Sequence, residues 1–368
     1  MRFVVPIASR LVGIVVALAA LAAGEACAQL PDGPEAFGVA LRSWARNHDI
    51  DHGLIVVRRE GRIVHRSALG GADPNAPVHL ASLSKAITGA CVATLVRDGK
   101  LTFETPVASA LAKFMARAGG DGDPRLRRVT VAQLLTHRAG YGTRKDDPGS
   151  GPALMDYLRT NPANARPSPA FLSWAIQQKL ADEPGSKFVY SNTGYLALGA
   201  IIEEATAQRY APYCRQAVLA PLGLAGDLEP SWRVMWSFGG WRMAAADYLA
   251  FLDVFDSGDA RLGNAAKSWM LDSAGKGAGG ESWYGLGTYV RKSDTGVNLR
   301  HFGSWFYKGA GLNAGSGTSF LTLAARQSDG TAWFVYVSPR PPRDEEQRPG
   351  PELERALLDA YRGIKSWN

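Results

Sequence analysis

The strand signals of this chain fall at its two ends, and a long helical stretch lies between them. Near the start, Gly53-Leu-Ile-Val-Val-Arg58 and Arg62-Ile-Val-His-Arg-Ser67 are short β-rich runs around Glu60-Gly61, a hairpin signal. Glu35 to Asn47 has helical spacing, with Phe37, Leu41 and Trp44 on one side. Helical patterns dominate from Leu101 to about Gly226, between Gly- and Pro-rich loops such as 119–124, 147–152 and 161–169. From roughly Trp232 the chain is expected to turn back toward strands: Gly285–Val290, Leu299–Phe306, Thr318–Ala325 and Thr331–Val337, the last pair closed at Asp329-Gly330. A Pro-rich loop from Pro339 to Pro351 leads to a final helix over Glu352–Ile364. Strands at both ends predict one antiparallel sheet drawn from both. The expected fold class is therefore α+β, an antiparallel sheet flanked by helices with an inserted, mostly helical subdomain. The α/β part is expected at about 35–100 and 232–368 and the helical part at about 101–231, with the site in the groove between them.

The first residues are expected to be removed. Arg2 and Arg10 precede an apolar run from Leu11 to Ala23, followed by Ala26-Cys27-Ala28. This is the pattern of a secretory signal peptide, 1–28, and too short for a confident membrane span. The mature chain, 29–368, is then secreted or periplasmic with no stable membrane insertion. A lipid-anchored Cys27 is the alternative, and Glu25 fits it badly. Cys91 and Cys214 remain; two lone cysteines make no disulfide framework and are expected as buried thiols. The net charge of +7 is modest over 368 residues and no Lys/Arg block stands out, so no nucleic-acid partner is expected.

Chemistry enters at His79-Leu-Ala-Ser-Leu-Ser-Lys85. Ser82 and Lys85 are three apart, so on a helix they share one face. Apolar residues at Leu83, Ile87, Ala90, Cys91 and Leu95 predict a buried helix that stops near Asp98-Gly99. A serine hydroxyl needs a base, and burial with a helix N-terminus lowers a lysine pKa toward that task. Two further stretches add polar groups. Tyr190 and Asn192 are two apart before the apolar helix 196–205, so in extended backbone they point the same way. Read alone, that stretch is a turn in which Asn192 caps the helix. Arg300-His301-Phe302-Gly303-Ser304 opens a strand, and Gly303 allows close approach of a ligand or a second backbone.

With these three motifs in order, the chain resembles the serine β-lactamase and D-Ala-D-Ala peptidase superfamily, and more closely its class C-like branch, which also contains esterases and amide hydrolases. Ser82-Leu-Ser-Lys85 is similar to the family's Ser-x-x-Lys, Tyr190-Ser-Asn192 to its Tyr-x-Asn, and His301-Phe-Gly303 to its Lys/His/Trp-x-Gly. Supporting stretches include 131–140, 220–224 and Tyr284-Gly-Leu-Gly287. The resemblance implies Ser82 as acylated nucleophile, Lys85 and Tyr190 as proton carriers, Asn192 and His301 as substrate-binding residues, and the backbone N–H groups of Ser82 and Ser304 as oxyanion hole. His137 is assigned a structural place.

The third motif departs from the family's Lys-Thr-Gly or Lys-Ser-Gly. Histidine is mostly neutral at pH 7, with an ordinary pKa near ~6.5, and Phe302 offers no hydrogen bond. Phe302 is the harder misfit, with Ser304 or Lys308 as possible compensation. A dedicated β-lactamase and a strict D-Ala-D-Ala carboxypeptidase are therefore discounted in favour of ester or amide hydrolysis with a weak carboxylate requirement. The partner is a small-molecule or peptide substrate. A non-catalytic muropeptide-binding or sensing protein on the same scaffold is the alternative of another class. Neither Gly-x-Ser-x-Gly, His-Glu-x-x-His nor a phosphate-binding loop occurs, so no metal or cofactor is expected. Seven tryptophans between Trp232 and Trp333 are assigned mainly to packing, an aromatic pocket being the alternative.

Overall fold

In the computed structural model the two ends of the chain do join. It describes residues 30–118, 122–143, 147–150, 152–161, 166–256, 258–274, 281–306, 319–339, 341 and 349–367. Ten strands are described: β1 (His52–Arg59), β2 (Arg62–Leu69), β3 (Pro77–His79), β4 (Asp227–Leu228), β5 (Trp241–Ala244), β6 (Ser282–Gly285), β7 (Thr288–Ser293), β8 (Gly296–Phe306), β9 (Ser319–Arg326) and β10 (Ala332–Ser338). Seven form one antiparallel sheet in the order β2-β1-β10-β9-β8-β7-β6. The seam between the ends is β1 against β10, with Val57 opposite Trp333.

Period-two alternation then gives the sheet two cores. On one face Ile55, Val57, Leu323 and Val335 meet Phe37, Leu41 and Trp44 of α1 (Ala36–Asn47). On the other, Leu54, Val56, Ala324 and Phe334 pack on the helical mass led by α2 (Ser84–Arg97) and α3 (Asn192–Thr206). The closing helix α4 (Pro349–Gly363) covers the first face with Leu353 and Leu357. The described part of α2 is buried from Ser84 to Leu95, which explains its apolar run, and Gly99 at φ 68 lets the chain leave it as expected.

Several expectations are corrected. Gly285–Val290 is not one strand: β6 and β7 are joined by a turn with Leu286 at φ 49 and Gly287 at φ 88, values that break extended backbone. The chain does not turn to strands at Trp232. Helical turns occupy Pro230–Gly239 and much of 245–273, around the short β5, because apolar residues at Leu249, Leu252, Phe255 and Met270 bury against α2 and the sheet. The small sheet β3-β5-β4 was not anticipated, its strands being only two to four residues long. The last helix starts at Pro349, inside the expected loop. Cys91 and Cys214 are disulfide-bonded rather than separate thiols, with Cα atoms 5.6 Å apart across 123 positions; packing of α2 on the 210–214 helix brings them together. The leader 1–28, positions 119–121 and 162–165, Lys308, Thr318 and most of the Pro-rich loop lie outside the described residues. Among the described residues no helix is long and apolar enough to cross a membrane.

Candidate active site

Ser82 sits on a tight turn, Ala81–Leu83, that runs directly into α2. Ala81, a residue with a Cβ, holds φ 46, a left-handed conformation costing about 1–2 kcal/mol. The turn is pinned on every side. Leu80 donates its N–H to Trp241 O at 2.9 Å, Thr322 Oγ1 donates to Leu80 O at 3.1 Å, and Tyr248 OH donates to Leu83 O at 3.0 Å. Gly303 explains how β8 comes so close: a Cβ there would strike Thr322 Oγ1 and Leu80 O. Gly287 does the same for α2, since a Cβ would strike the Lys85 carbonyl. The Tyr284-Gly-Leu-Gly287 stretch is thus a backbone-to-backbone bracket on the nucleophile helix.

Lys85 is fully buried in the first turn of α2. Its Nζ lies 2.7 Å from Asn192 Oδ1, 3.0 Å from Phe238 O and 3.3 Å from Ser82 Oγ. Asn192 Oδ1 and Phe238 O can only accept hydrogens. A neutral amine has two N–H bonds and one lone pair, so in that form Lys85 can donate to both acceptors and still accept from the Ser82 hydroxyl. The site therefore has a slot for a base aimed at a hydroxyl. The amide orientation of Asn192 is not arbitrary, because its Nδ2 donates to Gly149 O at 3.1 Å and to Ser150 Oγ at 2.8 Å.

Tyr190 and Asn192 both face the cleft, as the spacing predicts, and Ser191 between them is extended (φ −133, ψ 131). Ser191, rather than Asn192, caps α3, accepting the Gly194 N–H at 3.2 Å. Lys85 Nζ stands 4.9 Å from the centre of the Tyr190 ring. Behind that ring, 4.3 Å away, lies the buried His137, whose Nδ1 accepts the Ser191 N–H at 3.1 Å. Burial pushes His137 well below its ordinary pKa and keeps it neutral. It braces Tyr190, consistent with its structural assignment.

His301 is where the geometry departs furthest from the sequence reading. Its ring is only 4% exposed and does not line the cleft; it stands 6.2 Å from the Tyr190 ring, behind it. Nδ1 lies 2.6 Å from Phe302 O, which can only accept, so Nδ1 carries the proton and Nε2 accepts from Tyr284 OH at 2.8 Å. Burial lowers its pKa to about 3. Both ring nitrogens are engaged and the ring is neutral, so a substrate carboxylate finds no cation here. Phe302, expected as the harder misfit, faces the other way. It packs with α1 and α4 on the far face of the sheet, because neighbours along a strand alternate.

The groups converge on a cleft of about 270 Å³ lined by Ser82, Tyr190, Asn192, Ser304 and the 149–150 backbone. Its apolar wall is Ala81, Leu154, Met155, Trp232, Met235, Phe238, Trp305 and Phe306. Two of the seven tryptophans thus reach the cleft, while others pack: Trp269 stacks on Phe103 at 3.9 Å and Trp241 and Trp333 are buried. None of the described lining residues is charged. A larger groove of about 930 Å³ lies on the helical side between Lys113 and Arg209, but none of the candidate chemical groups reaches it, so the smaller cleft is the candidate site. Sequence reasoning missed the 147–150 loop. Asp147, Gly149 and Ser150 touch Asn192 and its flanks, and the only signal was Gly/Pro-rich turn composition, which marks loops everywhere.

An antiparallel sheet with helices on both faces, and a Ser-x-x-Lys turn opening beneath one edge of β8, defines the β-lactamase/transpeptidase fold. Residues 38–357 match the Beta-lactamase family, and the chain belongs to it. It is 34% identical over 190 residues to Esterase EstB of Burkholderia gladioli, covering 46% of this chain and 45% of the relative. The chain spans less than half the length of the curated relatives it matches. Among solved structures it is similar to the octameric penicillin-binding protein homologue from Pyrococcus abyssi (TM-score 0.66, 19% identity, 89% of this chain and 77% of that one). It is likewise similar to the D-stereospecific amidohydrolase from Streptomyces sp. (TM-score 0.64, 20% identity, 88% and 97%). These two likenesses establish a shared fold.

Proposed function

We propose that this chain is a serine hydrolase that forms an acyl-enzyme from esters or amides whose acyl group is neutral and apolar. One observation carries the reading: the buried Lys85 Nζ, held by Asn192 Oδ1 and Phe238 O, lies within hydrogen-bond reach of Ser82 Oγ at 3.3 Å. In the first step Ser82 Oγ attacks the substrate carbonyl and its proton passes to Lys85 or Tyr190. The tetrahedral oxygen is held by the N–H groups of Ser82 and Ser304, donors of a kind that contribute a few kcal/mol. The leaving group departs with a proton from the same pair. Water then attacks the ester on Ser82 and regenerates the hydroxyl. Positioned proton transfer of this kind is worth about 10²–10⁴ in rate.

The substrate class follows from the lining. A lining of eight apolar side chains with no charged one among the described residues favours a neutral acyl group, and desolvating a carboxylate there without a partner is costly. The esterase relative and the amidohydrolase neighbour support ester and amide chemistry. The reading includes export, with the leader ending at Ala28; N-terminal sequencing of exported protein checks it, and a start other than Gln29 contradicts that boundary.

The test is a panel of p-nitrophenyl esters of several chain lengths, nitrocefin and a D-Ala-D-Ala peptide, run beside Ser82→Ala. Ester turnover that disappears in Ser82→Ala is expected. Nitrocefin turnover well above the esters contradicts the substrate class.

A further inference from the structure

Asp147 is a polar group beside this machinery to which no motif points. It is completely buried, and its described partners are all neutral donors. Ser191 Oγ donates to Oδ1 at 2.8 Å and the Thr193 N–H to the same atom at 3.3 Å. The Asn192 N–H donates to Oδ2 at 2.8 Å, and Ser150 Oγ donates to it at 2.7 Å. The carboxylate also sits at the N-terminus of the fifteen-residue α3, where a negative charge is favoured.

An ionised carboxylate only accepts, so both serine hydrogens must point at Asp147. That fixes the rest of the network. Ser191 Oγ is left with lone pairs and accepts the Gly194 N–H, capping the helix. Ser150 Oγ is likewise left with lone pairs and accepts from Asn192 Nδ2 at 2.8 Å. With Nδ2 drawn to Ser150 and Gly149, Oδ1 is the atom that faces Lys85. Were Asp147 uncharged, the Ser150 hydroxyl would be free to donate to the amide instead. The Ser150 bond that favours the present orientation would be lost, leaving the Gly149 carbonyl to oppose alone a rotation that places an N–H₂ group against Lys85 and removes one of its two acceptors.

We propose that Asp147 is a positioning residue: through Ser150 it sets the orientation of the Asn192 amide, and the amide sets Lys85. The kinetic consequence rests on the hydrolase reading above; the geometric one does not.

The test is a double-mutant cycle on Asp147→Asn and Asn192→Ala, with hydrolysis of p-nitrophenyl butyrate as readout. Asp147→Asn is expected to lower kcat by about 10–100-fold with KM within about threefold, since the cleft wall is untouched. In the Asn192→Ala background the same change is expected to cost less than about twofold, because the intermediary is gone. Losses that multiply in the double variant, an unchanged kcat, or a KM effect alone overturn the proposal. Ser150→Ala, which leaves the other three bonds to Asp147 in place, carries the same cycle if Asp147→Asn does not fold. A crystal structure of the variant reads the geometry without turnover. Asn192 rotated, with its Nδ2 toward Lys85, supports the proposal even in a chain that hydrolyses nothing; Oδ1 still at hydrogen-bond distance from Lys85 Nζ overturns it.

Discussion

Lys85 Nζ and Asn192 Oδ1 are 2.7 Å apart although 107 positions separate them in sequence. This contact joins the helix that follows the Ser82 turn to the helix that begins at Asn192. Both Nδ2 hydrogens and one of the two Oδ1 lone pairs are engaged within the protein. Asn192 thus holds Lys85 in place as well as facing the cleft.

Replacing that amide by a carboxylate tests the role of Lys85 as base. An anion beside Lys85 stabilises its ammonium form. In Asn192→Asp the acid limb of the kcat/KM profile is expected to move to higher pH, and activity at neutral pH to fall. Lys85→Met, which removes the amine, is expected to lower kcat/KM by at least about 100-fold at every pH. A pH–rate profile of each variant checks both; an unmoved limb in Asn192→Asp assigns the titration to another group.

The buried histidines predict an acid-sensitive fold. His301 and His137 both have folded pKa values below their ordinary one, His301 at about 3. As pH falls below about 6.5 the unfolded chain takes up protons that the folded chain refuses. Stability is thus full above that pH and is lost progressively down to about 3, by up to about 1.4 kcal/mol per pH unit for each ring. Urea denaturation between pH 7 and pH 4 measures this. His301→Gln, which retains an acceptor for Tyr284, is expected to flatten the slope.

Glycine at 287 and 303 is required by close approach of backbone. At Gly287 an alanine would combine φ 88 with a collision against the Lys85 carbonyl, which cannot swing aside. Gly287→Ala is expected to cost about 3 kcal/mol or more, and Gly71→Ala, at φ 72 with open space around it, about 1 kcal/mol. Thermal denaturation of the two variants separates collision from backbone strain.

The Cys91–Cys214 bond closes a long loop between α2 and the 210–214 helix. Alkylation of the unfolded, unreduced protein is expected to leave both residues unmodified. Cys91→Ala is expected to lower stability by about 2–5 kcal/mol. Alkylation of either cysteine without prior reduction contradicts the bond.

Much of this was legible because the informative residues report on local geometry. Glu60-Gly61 and Asp329-Gly330 mark turns by the backbone they need, and positive φ at Glu60, Gly61 and Gly330 bears that out. Ser82 and Lys85 were readable from helix periodicity, and Tyr190 with Asn192 from extended spacing. What stayed hidden depends on partners far along the chain. Asp147 is one acid among many in a turn-rich loop until α3 is laid against it. His301 reads as a neutral strand residue, but its lock on Tyr284 reaches from β8 across β7 to β6, a relation only the assembled sheet shows. The strand reading also misassigned faces: Phe302 was weighed against a substrate that it faces away from. The two cysteines carried no pairing signal, because 123 residues of helix and loop intervene.

The most direct test of the whole account is the covalent intermediate. Protein quenched in acid during turnover of p-nitrophenyl butyrate is digested and its peptides weighed. The account predicts one butyryl group on the peptide containing Ser82, absent from Ser82→Ala, which also loses turnover. A butyryl group on another residue, or undiminished turnover by Ser82→Ala, would contradict it.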